Sequence, residues 1–414
     1  MIAAEDTPLQ VDEYRPPRRS LRVALVTETY PPEVNGVAAT IARVVDGLRT
    51  SGHELQLIRP RQHQADAPGG ANGLNEVLLR GLAIPRYPEL KMGLPSQRAL
   101  MRLWTEQRPD VVHLVTEGPL GWSALRAALK LRLPVVSDFR TNFHAYSRHY
   151  GVAWLHNPIM GYLRKFHNRT ACTMVPTALL ASTLAANGFR RLKVVARGVD
   201  TRLFDPARRS PALRRTWGVG DDTQVVLCVG RLAPEKNLGV LVQAFDAMAA
   251  TGARVKLVLV GDGPSRAALE ARLAGAVFAG ARHGEDLAAH YASADVFLFP
   301  SITETFGNVV PEAMASGLPV VAYDYAAASQ LVRHGESGLL APFDDAAAFT
   351  HQATRLAGEP ALARSFGPHA RAVAVQQSWG RIVSLIEREY EAAITTGPVT
   401  QGGAALPAAW PVRS

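Results

Sequence analysis

Short apolar runs of strand length alternate with segments of helical periodicity from residue 21 almost to the end of the chain. That alternation predicts an α/β protein built on parallel sheets wrapped by helices. The first unit is the run LRVALVT at 21–27, a turn-rich YPPEVNG, and a helix at 37–49 whose apolar positions Val37, Ile41, Val44, Val45 and Leu48 follow helical spacing. Gly52 supplies its stop. Further strands are expected at 55–58, 111–115, 135–137, 173–175 and 194–196, with 62–73 as an exposed loop. A second series follows at 225–229, 255–260, 277–279, 296–299 and 319–323. Between the two series lies the polar, proline-bearing stretch RGVDTRLFDPARRSP, which reads as a connection between domains. The division expected is a disordered tail at 1–20, one domain at 21–200, a second at 201–378, a helix at 379–395 that can cross back to the first domain, and a disordered tail at 396–414. Two doubly wound, Rossmann-like domains in tandem face the carboxyl ends of their sheets across a cleft, where ligands bind.

The 414 residues are 47% apolar and 20% charged, with 34 Gly and 28 Pro, which excludes collagen-like, disordered and coiled-coil chains. Two cysteines, Cys172 and Cys228, each fall inside an expected strand and read as buried thiols, so neither a disulfide framework nor a cysteine zinc site is available. The net charge of +9 arises wholly within residues 1–200. Such asymmetry suggests that this half meets something anionic, although a solvated arginine-rich surface would read the same way. The stretch 78–102 mixes Arg80, Arg86, Lys91, Arg98 and Arg102 with apolar residues; it fits contact with anionic lipid headgroups or an ordinary loop and amphipathic helix. Nucleic-acid binding lacks its motifs. No apolar run approaches the roughly 18 to 20 residues that span a bilayer. The first twenty residues lack the apolar core of a signal peptide, so a cytoplasmic protein is expected.

Candidate chemistry gathers at the ends of the second series of strands. After VFLFP comes SITETFGNVVPEAM, with Glu304 on a loop, Phe306, Gly307 and Asn308 in the turn, and Glu312 on the following helix. A helix start leaves N–H groups unpaired, and Gly307 lets a ligand approach the backbone. After the strand ending CVG comes GRLAPEKN, where Gly230 is followed by Arg231 and Lys236, a pair suited to clamping a diphosphate. Gly261 ends the next strand, and Arg282 follows the one after it. In the first half, Gly36 sits with Asn35 between the first strand and its helix, and DFRTNFHAYSRHY, containing Arg140, His144 and His149, would face the cleft from the opposite wall. Gly118, beside Glu117, is expected to leave room for an acceptor. The motifs of zinc hydrolases, P-loop kinases, α/β-hydrolases and dinucleotide-binding dehydrogenases are absent. No Asp-x-Asp occurs, which removes the simplest carboxylate clamp for a phosphate-bound Mg²⁺.

Taken in order, YPPEVNGV, VARGVDTRLFDP, VGRLAPEKN, VGDGP, ADVFLFPSITETFGNVVPEAMASGLPVVA and GESGLL resemble the family 4 retaining glycosyltransferases of the GT-B fold. The resemblance runs from about Leu21 to the helix at Trp379. It implies an acceptor-side domain at 21–200 and a nucleotide-sugar-binding domain at 201–378, with no metal or other cofactor. It further implies that Arg231 and Lys236 bind the donor diphosphate, with Gly230 and Gly261 beside them, and that Glu312 binds the ribose. Glu304 and the backbone of Phe306, Gly307 and Asn308 would hold the transferred hexose, Gly36 would approach the diphosphate from the first domain, and residues around Arg282 would frame the base.

Within the family, VTEGPLG and TNFHAYSRHYG look most like GDP-mannose-dependent α-mannosyltransferases and the related sulfoquinovosyl or glucuronosyl lipid synthases. The partners so implied are a nucleotide-sugar donor, a lipid or glycan acceptor, and an anionic membrane surface met by the basic half at the inner face. Arg140 stands where many relatives carry a histidine suspected of contacting the donor sugar, a role left vacant or moved to His144. Alternatives are a UDP-sugar-dependent glycolipid synthase, a nucleotide-sugar epimerase using Glu28 and Glu117, and a non-catalytic sugar-nucleotide sensor.

Overall fold

A computed structural model describes residues 19–33, 35–63, 66–68, 70–71, 73–84, 87–140 and 156–397. The first half supplies β1 (Arg22–Val26), β2 (Glu54–Pro60), β3 (Gly70–Ala71), β4 (Leu74–Leu79), β5 (Gly81–Ile84), β6 (Tyr87–Gly93), β7 (Val111–Leu114), β8 (Val135–Asp138), β9 (Cys172–Val175) and β10 (Leu192–Val194). Eight of these form one sheet in the order β10-β9-β8-β7-β1-β2-β4-β3, parallel except where β3 meets β4. β5 and β6 pair as a separate antiparallel hairpin. The second sheet contains β11 (Gln224–Val229), β12 (Val255–Val260), β13 (Val277–Gly280), β14 (Val296–Phe299), β15 (Val320–Tyr323) and β16 (Gly338–Ala341). Its order is β13-β12-β11-β14-β15-β16, all parallel.

Both sheets are doubly wound, and each reverses direction once. In the second sheet the chain runs outward from β11 to β13 and returns to β14 on the other side of β11, so the loops leaving β11 and β14 diverge and open a crevice. In the first sheet the same reversal lies between β1 and β7. Strands covered on both faces are apolar at nearly every position: VFLF of β14 and VVAY of β15 are wholly buried. The helix Gly36–Thr50 begins on Asn35, whose Oδ1 accepts from the N–H groups of Val37 and Ala38 at 3.1 and 2.8 Å; such caps satisfy donors that the helix leaves free.

Several expected boundaries differ. β4 and β16 lie outside the expected strands, and the last strand of the first sheet is Leu192–Val194 rather than 194–196. β10 is an edge strand with Lys193 and Val194 exposed, so its apolar residues do not mark its ends. The 62–73 stretch is not simply an exposed loop, because Gln62 is buried and Asp66 accepts from the buried Arg59 guanidinium at 2.7 and 3.0 Å. Within 78–102 the hairpin takes the place of the loop, followed by a helix at Gln97–Glu106.

The chain passes between the sheets twice, side by side. Val199 on the outward pass pairs in parallel with Ser378 on the return, and its N–H donates to the Gln377 carbonyl at 2.8 Å. The final helix, Trp379–Thr396, then packs on the first sheet and the Gly36–Thr50 helix, burying Ile382, Val383, Ile386, Tyr390 and Ala393.

Candidate active site

β14 ends at Phe299, and the segment from Pro300 to Asn308 turns into the short helix Val309–Ala315. Gly307 sits in this turn at φ +92°, a left-handed conformation that L side chains rarely adopt. A Cβ there would also stand 3.4 Å from both Glu304 Cγ and Phe299 Cε1, so glycine lets the loop fold over Glu304. The Glu304 carboxylate is fixed from two sides. Ser301 Oγ donates to its Oε1 at 2.7 Å, and Lys236 Nζ donates to the same oxygen. Tyr325 Oη donates to the Glu304 carbonyl at 2.8 Å.

Lys236 arrives on the neighbouring loop, after β11. Gly230 and Gly261, at φ +150° and +137°, bring the ends of β11 and β12 into backbone contact; a Cβ on Gly261 would overlap the Gly230 carbonyl. Gly230 itself has open space where a Cβ would stand. Thr303 Oγ1 donates to the Glu235 carbonyl at 3.0 Å, which ties the two loops across the reversal point. Arg231 and Lys236 line one small hollow with Gly230 and Phe299. The exposed Arg231 guanidinium is turned toward Glu235 Oε1, 3.3 Å away.

Glu312, on the Val309–Ala315 helix, accepts from the buried Tyr291 hydroxyl at 3.0 Å. Burial raises its pKa to about 7 against the opposing effect of that hydrogen bond. Its carboxylate is therefore poised between forms near neutrality. Arg282 lies farther off, after β13 at the sheet edge, and is engaged by Asp286 at 3.0 Å and the Ala279 carbonyl at 2.8 Å.

The first sheet contributes the opposite wall. Arg140 donates from Nε to Asp138 Oδ2 at 2.6 Å. His113 Nε2 lies 3.0 Å from the same oxygen, and His113 Nδ1 shares a 2.7 Å hydrogen bond with the Tyr390 hydroxyl of the final helix. Burial alone would raise the pKa of Asp138, but the Arg140 and His113 charges outweigh it and hold the carboxyl at about 2. Arg140 is thus braced by a carboxylate rather than free. Gly36 opens its helix with open space on its Cβ side. Glu28 accepts from the Leu120 N–H at 3.0 Å, and its carboxylate fills the space beside Gly118 where a Cβ would stand. The expected room for an acceptor at Gly118 is therefore taken. Burial first, and then the Glu117 charge, raise the pKa of Glu28 to about 7 against the backbone donors of the next helix. Glu117 lies 3.2 Å from buried His167. His144 and His149 fall outside the described residues.

The structure brings Glu304, Lys236, Phe306, Gly307 and Asn308 together at one crevice, with Gly230 and Arg231 beside them. A cavity of about 370 Å³ opens against Glu304 between the two lobes, with Phe139, Leu179 and Leu180 on one side and Tyr325 and Phe343 on the other. Sequence reasoning missed Tyr325, and it assigned no role to Ser301, Asp138 or Arg197, although each lies in a segment it singled out. The Arg197 guanidinium lies over the Phe306 ring, 5.8 Å from its centroid, with Nη1 3.4 Å from Asn308 Oδ1. Its sequence signals were an arginine directly after an apolar strand and before a glycine, and its place in VARGVDTRLFDP. Among the described residues, no group of three or more His, Cys, Asp or Glu side chains could hold a metal ion.

Two facing doubly wound sheets with a carboxylate and cations at the crevice have the charges that a phosphorylated ligand requires. Residues 34–203 match the family described as "Glycosyltransferase Family 4", and residues 223–359 match "Glycosyl transferases group 1". The chain is similar to a GDP-mannose-dependent alpha-mannosyltransferase of Mycobacterium tuberculosis, at 36% identity over 381 residues that cover 90% of this chain and 97% of the relative. It is also similar to the sulfoquinovosyl transferase SQD2 of Arabidopsis thaliana, at 29% identity over 90% of this chain and 74% of that one. In fold it resembles the sucrose-phosphate synthase of Thermosynechococcus elongatus, with a TM-score of 0.73 at 20% identity over 91% of this chain and 100% of that one. The chain belongs to glycosyltransferase family 4, and its two sheets are those of the GT-B fold. It is a glycosyltransferase that moves a sugar from a nucleotide-sugar donor to an acceptor, in a family whose members typically act without a metal ion.

Proposed function

We propose that the protein transfers mannose from GDP-mannose to a lipid or lipid-linked glycan, with retention at the anomeric carbon. The observation that carries this reading is the Lys236–Glu304 pair at the reversal point of the second sheet, beside an apolar cavity shared by both lobes. Without substrate, the two charges neutralise each other. When the donor binds, Lys236 turns with Arg231 to the diphosphate, and Glu304 is released to accept hydroxyls of the hexose. The N–H groups at Phe306, Gly307 and Asn308 add donors, Glu312 accepts from the ribose, and residues near Gly261 and Arg282 frame the base. Residues 21–200 form the acceptor side, where Gly36 approaches the diphosphate and Arg140 and His144 the hexose; residues 201–378 form the donor side.

The bond from the anomeric carbon to the phosphate oxygen breaks as the acceptor oxygen attacks the same face. The acceptor proton passes to the departing phosphate oxygen, and the cations carry the charge that develops on the diphosphate. Closure of the lobes excludes water, which limits donor hydrolysis. The lining by Phe139, Leu179, Leu180 and Phe343 suits the apolar part of an amphiphilic acceptor. Among the described residues no helix is long and apolar enough to cross a membrane. The cationic first half would instead hold the protein against anionic lipid at the inner face.

A second reading, a UDP-sugar-dependent glycolipid synthase, is favoured by the likeness to the Arabidopsis sulfoquinovosyl transferase and by Arg140, a cation where an acidic sugar would find a partner. The test is nucleotide release from GDP-mannose, UDP-glucose, UDP-glucuronate and UDP-N-acetylglucosamine, with and without membrane lipid extract, in EDTA. Lipid-stimulated release of GDP alone is the expected result. Release of UDP alone would replace the mannosyl reading with the second one, and binding of a donor with no release would favour a sensor.

A further inference from the structure

Three arginines of the described residues are buried, and two of them are paired with carboxylates. Arg59 is held by Asp66 and Glu76, and Arg214 by Asp295 and the carbonyls of Ser293, Gly220 and Thr223. Arg197 is the exception. It is 8% exposed; among the described residues it has no carboxylate partner, its one hydrogen bond is long, to Asn308 Oδ1 at 3.4 Å, and its Nε, like that of Arg214, has no partner. The carboxylates nearest to it are engaged elsewhere, Asp138 with Arg140 and Glu304 with Lys236. Burial and the like charge of Arg140 push its pKa down to about 9, with Asp138 and Glu304 only partly restoring it. The guanidinium is still charged at neutral pH, so the fold holds a buried cation that no carboxylate among the described residues pairs with directly. Leaving a buried charge without a direct partner is among the costlier arrangements in a protein, and this one stands between the Asp138–Arg140 pair and the Phe306–Asn308 turn.

We propose that Arg197 is a receptor for a substrate oxyanion, a phosphate or carboxylate group that enters the crevice and meets the guanidinium, whose Nε–H is unpartnered among the described residues. This rests on the crevice being the transfer site. Two sources could present that chemistry, the distal phosphate of the nucleotide donor and an acidic headgroup on the acceptor. The guanidinium is buried over the Phe306 ring, 5.8 Å from its centroid, so little conformational freedom remains to be lost on binding.

The test uses the full chain carrying Arg197→Gln or Arg197→Lys. Three quantities are read: thermal stability without ligand, affinity for GDP and UDP by calorimetry, and KM and kcat for the acceptor identified by lipid-stimulated release. Arg197→Gln should be at least as stable as the parent, because it removes an unpaired charge. It should bind the preferred nucleotide about tenfold or more weakly if the donor phosphate is the anion, as expected for loss of a charge-assisted hydrogen bond. If the acceptor carries the anion, nucleotide affinity stays within twofold while the acceptor KM rises about tenfold with little change in kcat. Arg197→Lys should recover part of either loss. A less stable or unfolded Arg197→Gln, or binding and acceptor constants all within twofold of the parent, would overturn the proposal and leave Arg197 a structural residue. A parent chain that bound neither nucleotide would overturn the donor reading itself, which keeps the two failures apart.

Discussion

Glu312 has a pKa of about 7 because burial disfavours its charged form, while the role proposed for it needs that form: a carboxylate accepts from two ribose hydroxyls, whereas a carboxylic acid competes as a donor. Donor binding should then release a proton and strengthen as pH rises through 7. Between pH 6 and 8 the charged fraction of a group with this pKa grows about tenfold, and the affinity for intact GDP-mannose should grow by a similar factor. The intact sugar nucleotide is the right probe, since its diphosphate does not titrate in that interval. Calorimetry at three pH values on the parent and on Glu312→Gln would check it. The parent should show the slope and the variant a weaker, flat profile; a flat parent profile would remove Glu312 from the ribose. Lys236 and Glu304 follow a related logic, since each neutralises the other until a ligand offers both a better partner.

At the scale of elements, the sequence pattern identifies the inner strands because they are covered on both faces and leave no polar alternation to confuse the reading. β4 and β16 escape it for different reasons. LNEVLL is half-exposed and carries polar residues on both sides of its apolar ones, and GLLA is only four residues long. The loops bearing Glu304 and Lys236 are legible because strand-end motifs keep their chemistry local. Arg197 is not, because its partner Asn308 lies 111 positions away, and the contact of Tyr390 with His113 spans 277. The paired crossings make one glycine indispensable. A Cβ on Gly198 would stand 2.6 Å from Trp379 Cδ2 and 2.9 Å from its Cα, where the outward chain touches the start of the return helix. Gly198→Ala should cost about 1–3 kcal/mol through overpacking, read by urea titration, and a variant as stable as the parent would show that the crossing can yield.

At the scale of the whole molecule, the final helix joins the two lobes covalently and through buried polar contacts. Glu387 lies 3.3 Å from His53, and Tyr390 is bonded to His113, so a helix reached from the second lobe braces the wall that carries Asp138 and Arg140. Tyr390→Phe would leave His113 Nδ1 buried without its partner and should destabilise the chain by about 1–3 kcal/mol, measured in the same titration; an unchanged midpoint would show that the brace is dispensable. Each lobe holds only part of the proposed site, so transfer requires both, while donor binding draws mainly on the second. The most direct measurement is therefore Glu304→Gln, with donor affinity by calorimetry and transfer to lipid acceptor on the same preparation. Transfer should fall by at least about a hundredfold, as for loss of a group acting on the transition state, with donor affinity within a few-fold of the parent. Transfer at the parental rate with Gln at 304 would contradict the assignment of the Lys236–Glu304 crevice as the place where the sugar changes hands.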